Sequence, residues 1–202
     1  MPAETLSVPR RFCGPPGSVN GGYACGLVAR HLGPSAEVTL RSPWPLDAPV
    51  TLEDSGPDDG IVVRRGDTLV AEGRIASLEL HVVSPVSIAE ADAATASFAG
   101  FRAHPFPGCF VCGTERAAGD GQRIFPGPVP GRAVVAAPWR PDASIAAADG
   151  RVAPEHVWAA LDCPTYFGAS DGREGPAPAA LLGRMTARLD ERPEIGEPCV
   201  LV

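Results

Sequence analysis

The order of apolar, small and turn-forming residues in the first part of the chain predicts one helix followed by several strands. Small and apolar residues fill positions 21–32, where Asn20 can cap the helix and Gly33-Pro34 can end it. Alternating and β-branched stretches then predict antiparallel strands, separated by Gly-Pro and Gly-Asp turns, over 37–43, 50–54, 61–65 and 68–82.

The same order of elements is predicted a second time near the end of the chain. Pro154 suits the first position of a helix that continues to about residue 167. Strands are predicted on both sides of this helix, over 132–137, 183–189 and 198–202. Between the two parts, a stretch rich in Ala, Ser and Pro predicts a connector with one short helix over 88–98.

These elements predict an α+β fold with two units, 1–86 and 108–202, joined by a connector over 87–107. The second unit stops inside what should be its second strand after the helix, so we expect it to lack its last strands. Either the sequence is a piece of a longer chain, or the second sheet is short and leaves an edge for a partner to cover.

Composition and charge exclude several classes of protein. A chain of 202 residues, 45% of them hydrophobic, can bury a core. Its net charge is -7 and no basic run exceeds two arginines, so nucleic acid is a poor partner. No apolar run approaches membrane-spanning length, and a secretory signal pattern is missing from the N-terminus. With six dispersed cysteines, we expect a reduced, cytoplasmic protein whose homo-oligomerisation is left open.

Three short motifs resemble one family. The segment from Asn20 through Gly21-Gly22 resembles the helix start of hotdog-fold acyl-CoA thioesterases, where His-Gly-Gly is commoner. The stretch 38–52, with Pro43-Trp44-Pro45 at its centre, is similar to the strand after that helix in double-hotdog members. The segment from Trp158 to Asp162 resembles the helical segment that carries the catalytic carboxylate. The resemblance implies two hotdog units in tandem, each a long helix wrapped by an antiparallel sheet, that act on acyl-CoA or acyl-carrier thioesters without a cofactor.

Hydrolysis of a thioester needs a donor for the carbonyl oxygen and a carboxylate. The free N–H groups at a helix N-terminus, with no side chain at Gly21 or Gly22, can serve as the donor. The glycines can equally serve tight helix packing alone, and Asn20 can be only an N-cap.

Asp162 is the candidate carboxylate because it lies within an apolar helical segment, where an unpaired acid is costly to bury. It would act as general base or as nucleophile. The alternative is a structural carboxylate, at the helix surface or paired with Arg184 or Arg188.

The resemblance implies that each site lies between two units and that the acid follows the second glycine by seven residues. Counting back from Asp162 gives Glu155, and counting forward from Gly22 gives Ala29. We therefore expect one complete site, with Gly21 and Gly22 facing Asp162, and an inactive reciprocal pair.

The substrate-binding candidates are Tyr23, Leu27, Trp158 and Thr165. The first three would line an apolar channel for the acyl chain between the helices, although such residues are often plain core. Thr165 could orient water, but Pro164 is expected to kink its turn.

The Cys109-Phe110-Val111-Cys112-Gly113 motif offers half of a zinc site, but the sequence has no second closely spaced cysteine pair. The remaining ligands could come only from residues that folding brings close to this pair, and the candidates are Cys13, Cys25, Cys163, Cys199 and His104. A redox role would need a βαβ context. We therefore expect a structured turn and no metal site.

The leading hypothesis is hydrolysis of an acyl-CoA or acyl-carrier thioester, with the acyl length unspecified. The main alternative is a non-catalytic acyl or CoA binder. A third is an interaction module that holds CoA phosphates with a basic groove, for which the candidate residues are Arg10, Arg11, Arg30 and Arg41.

Overall fold

The structure is a computed structural model that describes residues 3–56, 60–171 and 179–202. The fold is α+β. Its helices are α1 (Gly21–Ala29), α2 (Ile88–Thr95) and α3 (Pro154–Ser170). Its strands are β1 (Glu4–Ser7), β2 (Ser35–Leu40), β3 (Pro49–Asp54), β4 (Gly60–Arg65), β5 (Thr68–Ile75), β6 (Gly127–Pro128), β7 (Val135–Trp139), β8 (Arg184–Arg188) and β9 (Cys199–Leu201). No helix among the described residues is both long and apolar enough to cross a membrane.

The larger sheet contains strands from both ends of the chain. Its six strands run in the order β1-β3-β4-β5-β2-β8, and each neighbouring pair is antiparallel. Strand β8 adds to the edge of β2, with Ala187 opposite Ala36 and Met185 opposite Val38. The smaller sheet has the order β6-β7-β9. The two predicted units are therefore joined by main-chain hydrogen bonds.

The order strand, helix, strand, strand occurs twice among these elements. It is formed first by β1, α1, β2 and β3, and again by β7, α3, β8 and β9. In each set the first strand pairs with the last, β1 with β3 and β7 with β9. The post-helix strands, β2 and β8, pair with each other.

Local chemistry sets the helix ends much as predicted. The Asn20 side chain accepts a hydrogen bond from Tyr23 N at 2.9 Å, and α3 begins at Pro154. Helix α1 ends at Ala29, three residues before the predicted end. Its last turn tightens, because Leu32 N donates to the Ala29 carbonyl, and Gly33 then adopts a φ of 108°.

Two strand predictions need correction. Strand β5 ends at Ile75 rather than near residue 82, because its partner β2 begins at Ser35 and offers nothing to pair beyond it. Strand β1, which pairs with β3, was not predicted, since four residues give too short a pattern. The predicted connector helix is confirmed as α2, and it begins with a capping box between Ser87 and Glu90.

Helices α1 and α3 are packed closely and run antiparallel. A Cβ atom on Gly26 would lie 2.4 Å from Glu155 Cα, and one on Gly22 would lie 2.6 Å from Asp162 Cβ. Helix α1 is buried from Gly22 to its end, between the large sheet and α3. This packing brings the N-terminus of α1 against the middle of α3.

Candidate functional site

The first turn of α1 contacts the carboxylate of Asp162 directly. Gly22 N donates to Asp162 Oδ2 at 2.9 Å, and the Asn20 side-chain amide donates to the same oxygen at 3.4 Å. Tyr23 N is already satisfied by the Asn20 cap. Within the described residues, nothing accepts from Gly21 N–H, so this donor is available to a ligand.

Asp162 lies at the wall of a cavity and is half-buried. Burial raises the pKa of its carboxyl to about 6, the Gly22 N–H opposes this rise, and the nearby Cys109 adds to it. The surface ion pair weighed as an alternative does not form. Arg184 donates instead to Thr39, and Arg188 donates to Asp190.

The two glycines meet different surroundings. A Cβ on Gly22 would lie 2.6 Å from the Trp158 carbonyl oxygen, so this position requires glycine for helix packing. A Cβ on Gly21 would lie 2.7 Å from Leu182 Cβ and 3.4 Å from Asp162 Oδ2. Gly22 therefore allows α1 to lie against the carboxylate, while Gly21 makes room for the Leu182 side chain beside it.

A cavity of about 690 Å³ opens beside Asp162. Apolar residues from α1, the 40–44 loop, the 104–112 loop, α3 and the segment before β8 line most of it, including Ala24, Leu40, Trp44, Phe106, Phe167 and Leu182. Its volume lies within the range of small-molecule sites. The cavity can therefore hold a ligand with an apolar part against the α1 N-terminus.

The predicted substrate-binding residues separate into two groups. Thr165 lines this cavity, and its hydroxyl donates to the Asp162 carbonyl oxygen at 2.6 Å. Tyr23, Leu27 and Trp158 are buried and are not among the described residues that line it. Tyr23 stacks on the ring of Phe12 at 4.4 Å, and burial raises its pKa to about 12. These placements favour the core interpretation for the three.

Three thiols lie beside the carboxylate. Cys109 and Cys163 Sγ are 3.9 Å apart, and all three sulfurs of Cys109, Cys112 and Cys163 lie within 4.8 Å of one another. The Asn20 amide nitrogen is 3.8 Å from Cys109 Sγ and 3.9 Å from Cys163 Sγ. The sequence motif identified the Cys109 and Cys112 pair and left Cys163 as one of five candidates to join it. Helix α3 brings Cys163 to the pair.

The three thiols share protons unequally. The Cys112 and Cys163 thiols, together with the backbone N–H groups of Cys112 and Val111, hold the pKa of Cys109 well below its usual range. Hydrogen bonding to Cys109 raises the pKa of Cys112 and that of Cys163 well above theirs. Of the three thiols, Cys109 is therefore the one whose surroundings most favour the thiolate form.

The predicted reciprocal pair lies at the other end of the two helices. Ala29 and Pro154 line a separate cavity of about 510 Å³, together with Arg30, Arg151 and Arg192. At this end Ala153 provides no side-chain cap and Pro154 has no N–H. Neither an acid at 29 nor a free donor at 154 is present.

The arginines of the third hypothesis are dispersed and paired. Arg10 contacts Asp47, Arg30 contacts Glu4, and Arg41 contacts Glu72. Arg11 donates to the carbonyl oxygens of Gly119 and Asp120. These contacts weaken the case for a phosphate-binding groove built from them.

No protein-family model matches the chain, and no curated protein matches it. A function for this chain must therefore be argued from the geometry around Asp162, because a fold alone does not specify an activity. The helix N-terminus, the carboxylate and the adjoining cavity are the features from which that argument starts.

Proposed function

We propose that this protein hydrolyses the thioester of an acyl-CoA or an acyl-carrier conjugate at a single site between α1 and α3. The proposal rests on one observation, the 2.9 Å hydrogen bond from Gly22 N to Asp162 Oδ2 beside the cavity. It joins a helix N-terminus to a carboxylate 140 positions away in sequence. These are the two groups that acyl transfer to water requires.

Each group has a defined part in this mechanism. The thioester carbonyl oxygen accepts from Gly21 N–H, where the α1 N-terminus stabilises the negative charge that develops. Gly22 N–H and the Asn20 amide both bind Asp162 Oδ2 and fix the orientation of the carboxylate. The other oxygen, Oδ1, then faces the reacting carbon or a water molecule.

The chemistry balances with water as the only co-reactant. As general base, Asp162 takes a proton from water while the water oxygen attacks the carbonyl carbon, and the C–S bond then breaks as the thiolate leaves with that proton. As nucleophile, Asp162 attacks the carbonyl carbon, and the C–S bond breaks to release the thiolate. Water then cleaves the resulting anhydride, which restores the Asp162 carboxylate and supplies the proton that the thiolate takes up. Both routes yield a carboxylic acid and a free thiol.

The repeated element order supports the finer fold proposal of two tandem hotdog units, 1–86 and 108–202. Under it, β2 and β8 are the equivalent strands where the two units join, and α1 and α3 are the two central helices. The second unit would then contribute Asp162 and the first its glycines. We place such an enzyme in the cytoplasm, where its six thiols stay reduced.

A non-catalytic acyl or CoA binder is the second candidate. The occupied Gly22 N–H favours it, since a carboxylate held by this bond already has a structural part, which is to fasten α1 to α3. In that case the cavity would hold a ligand without chemistry.

The test is thiol release from short-, medium- and long-chain acyl-CoAs and an acyl-carrier conjugate, with wild type and Asp162→Asn. Hydrolysis by wild type that the substitution abolishes supports the proposal. Binding of the same acyl-CoAs by calorimetry, without thiol release, would replace it with the binder. Equal hydrolysis by both proteins would remove Asp162 from the mechanism.

A further inference from the structure

The sulfur atoms of Cys109, Cys112 and Cys163 surround one point beside the cavity. All three residues are at least nine-tenths buried, and their sulfurs lie within 4.8 Å of one another. Four thiolates bound to Zn²⁺ at about 2.3 Å in a tetrahedron are about 3.8 Å apart. The 3.9 Å between Cys109 and Cys163 Sγ is close to that edge length. The sulfurs are thus already spaced for a common partner.

The turn that carries Cys109 and Cys112 is built to present both sulfurs on one side. Gly113 N donates to the Cys109 carbonyl oxygen at 2.9 Å, and a Cβ at Gly113 would lie 2.4 Å from that oxygen. The backbone N–H groups of Val111 and Cys112 lie close enough to Cys109 Sγ to lower the pKa of its thiol. Such N–H groups stabilise a metal-bound thiolate from outside the ligand set.

The turn is also held rigidly against the rest of the molecule. Phe110 N donates to the Cys13 carbonyl oxygen at 2.8 Å, and Ile124 N donates to the Val111 carbonyl oxygen at 2.9 Å. Cys163 is fixed independently, on α3. Two rigid elements therefore supply the three sulfurs, which lowers the ordering cost of binding an ion.

We propose that Cys109, Cys112 and Cys163 bind a Zn²⁺ ion as three thiolates, with the fourth coordination position directed at the cavity beside Asp162. Thiolate ligands in a tetrahedral arrangement select zinc among the common divalent ions. Across residues 3–56, 60–171 and 179–202, no fourth His, Cys, Asp or Glu ligand atom joins the group. All three cysteines line the cavity, where water or a small ligand can complete the tetrahedron.

A disulfide is the competing arrangement for these cysteines. A disulfide would use two of the three sulfurs and leave the third as a buried thiol. Zinc uses all three and releases up to three protons on binding. The inference goes beyond the proposed hydrolysis, because zinc binding is measured without any substrate.

The Asn20 side chain connects the zinc site with the carboxylate. Its amide group contacts the sulfurs of Cys109 and Cys163 and also Asp162 Oδ2. As a donor to two ligand sulfurs it is an outer-sphere partner, whose loss is expected to weaken zinc binding by about 10–100-fold. Asn20→Ser retains an oxygen for the α1 cap while removing this donor.

The experiment measures metal content and coordination in the reduced, full-length protein, purified without chelators or a histidine tag. We expect one zinc per chain by mass spectrometry, and a thiolate-to-cobalt charge-transfer band after replacement with Co²⁺. Cys163→Ser should bind zinc at least about 100-fold more weakly. The matched control is Cys199→Ser, outside the cluster, which should bind as wild type does.

Wild type alone can overturn the inference, so it does not depend on whether the variants fold. Folded, reduced wild type that takes up neither zinc nor cobalt would refute the site. A disulfide between any two of the three cysteines in the freshly purified protein, mapped by peptide mass spectrometry, would refute it as well.

Discussion

The two ends of the α1–α3 pair hold equivalent positions that have different chemistry. The cap and the first two helical positions of α1 are Asn20-Gly21-Gly22, and those of α3 are Ala153-Pro154-Glu155. Seven residues after the second helical position stand Ala29 in α1 and Asp162 in α3. The Asp162 end therefore combines a side-chain cap, an open N–H at the first helical position and an opposing acid. The other end begins with Ala153 and Pro154, which provide no side-chain cap and no N–H at that position, and it has Ala29 where the acid would stand.

The cavities at the two ends of the helix pair also differ. The cavity at the Asp162 end is mostly apolar, whereas the one at the Ala29 end is bordered by Arg30, Arg151 and Arg192. Arg30 and Arg192 there are engaged by Glu4 and Asp149. The difference teaches that two helices can contact each other along their length while only one end brings a carboxylate against a capped helix N-terminus.

The largest expected effect is a difference in kcat between variants of Asp162 and of Glu155, the carboxylates at the two ends of the helix pair. Asp162→Asn should lower kcat for thioester hydrolysis by about 10²–10⁴-fold, because the amide cannot accept a proton or attack. Glu155→Gln, the matched change at the other end, should leave kcat unchanged. Thiol release at saturating substrate measures both. An equal loss in the two variants would mean that the ends do not differ in function.

The next effect is a pH dependence of stability at the third helical positions, where the His156 and Tyr23 rings lie 5.1 Å apart. Burial and, to a smaller extent, the charge of Arg11 lower the pKa of His156 from 6.5 to about 4, against the opposing effect of Asp142. As pH falls, His156 therefore takes up a proton in the unfolded chain before it does so in the folded protein. The stability contributed by neutral His156 is present above pH 6.5 and is lost as pH falls through about 4, which amounts to about 3 kcal/mol.

His156→Phe removes this proton while keeping a ring in the cluster. In urea unfolding, the free energy of unfolding should decrease less between pH 7 and pH 4 for the variant than for wild type. His81→Gln, at an exposed histidine, is the control and should follow wild type. Identical pH profiles for His156→Phe and wild type would show that this histidine does not titrate as described.

Third, glycine substitution tests how close the helices lie at the Asp162 end. Gly22→Ala should lower the free energy of unfolding by about 1–3 kcal/mol, because its Cβ would overlap α3 backbone and side-chain atoms. Gly168→Ala, in a roomier part of α3, should instead stabilise by about 0.5–1 kcal/mol. Denaturant unfolding measures both, and equal effects would contradict the close approach.

The smallest expected effect concerns the N-terminus of α3, where Ala153 provides no side-chain cap. Ala153→Ser should raise the free energy of unfolding by about 0.5–1 kcal/mol, since its hydroxyl oxygen can accept from the first-turn N–H groups of α3. Ala153→Val has no such oxygen and should bring no gain. Thermal unfolding of the two variants beside wild type is sufficient to compare them.

Local chemistry made part of this structure predictable. Asn20 and Pro154 are strong helix-start signals that act through their immediate neighbours, and both helices begin where they indicate. The meeting of Gly22 with Asp162 followed from the repeated element order and the family resemblance, which relate distant segments. The helix and strand ends were less predictable, because they depend on the partner strand and on how the last turn closes.

Features created by tertiary contacts had no signal in the sequence. Cys163 joins Cys109 and Cys112 only because α3 passes the turn that carries them. Helix α3 contains Pro164 and continues past it to Ser170, beyond the predicted end near residue 167. Nor did the cavity residues Phe106 and Leu182 follow any periodicity, since they come from segments outside helices and strands.

The pairing of β2 with β8 means that the halves of this chain are not interchangeable parts. Separating them would expose a row of unpaired amide and carbonyl groups on β2, which invites aggregation. A cooperative melting transition for the whole molecule is the natural outcome of such shared main-chain bonding. Any transfer of this framework to another protein would have to take both ends of the polypeptide together.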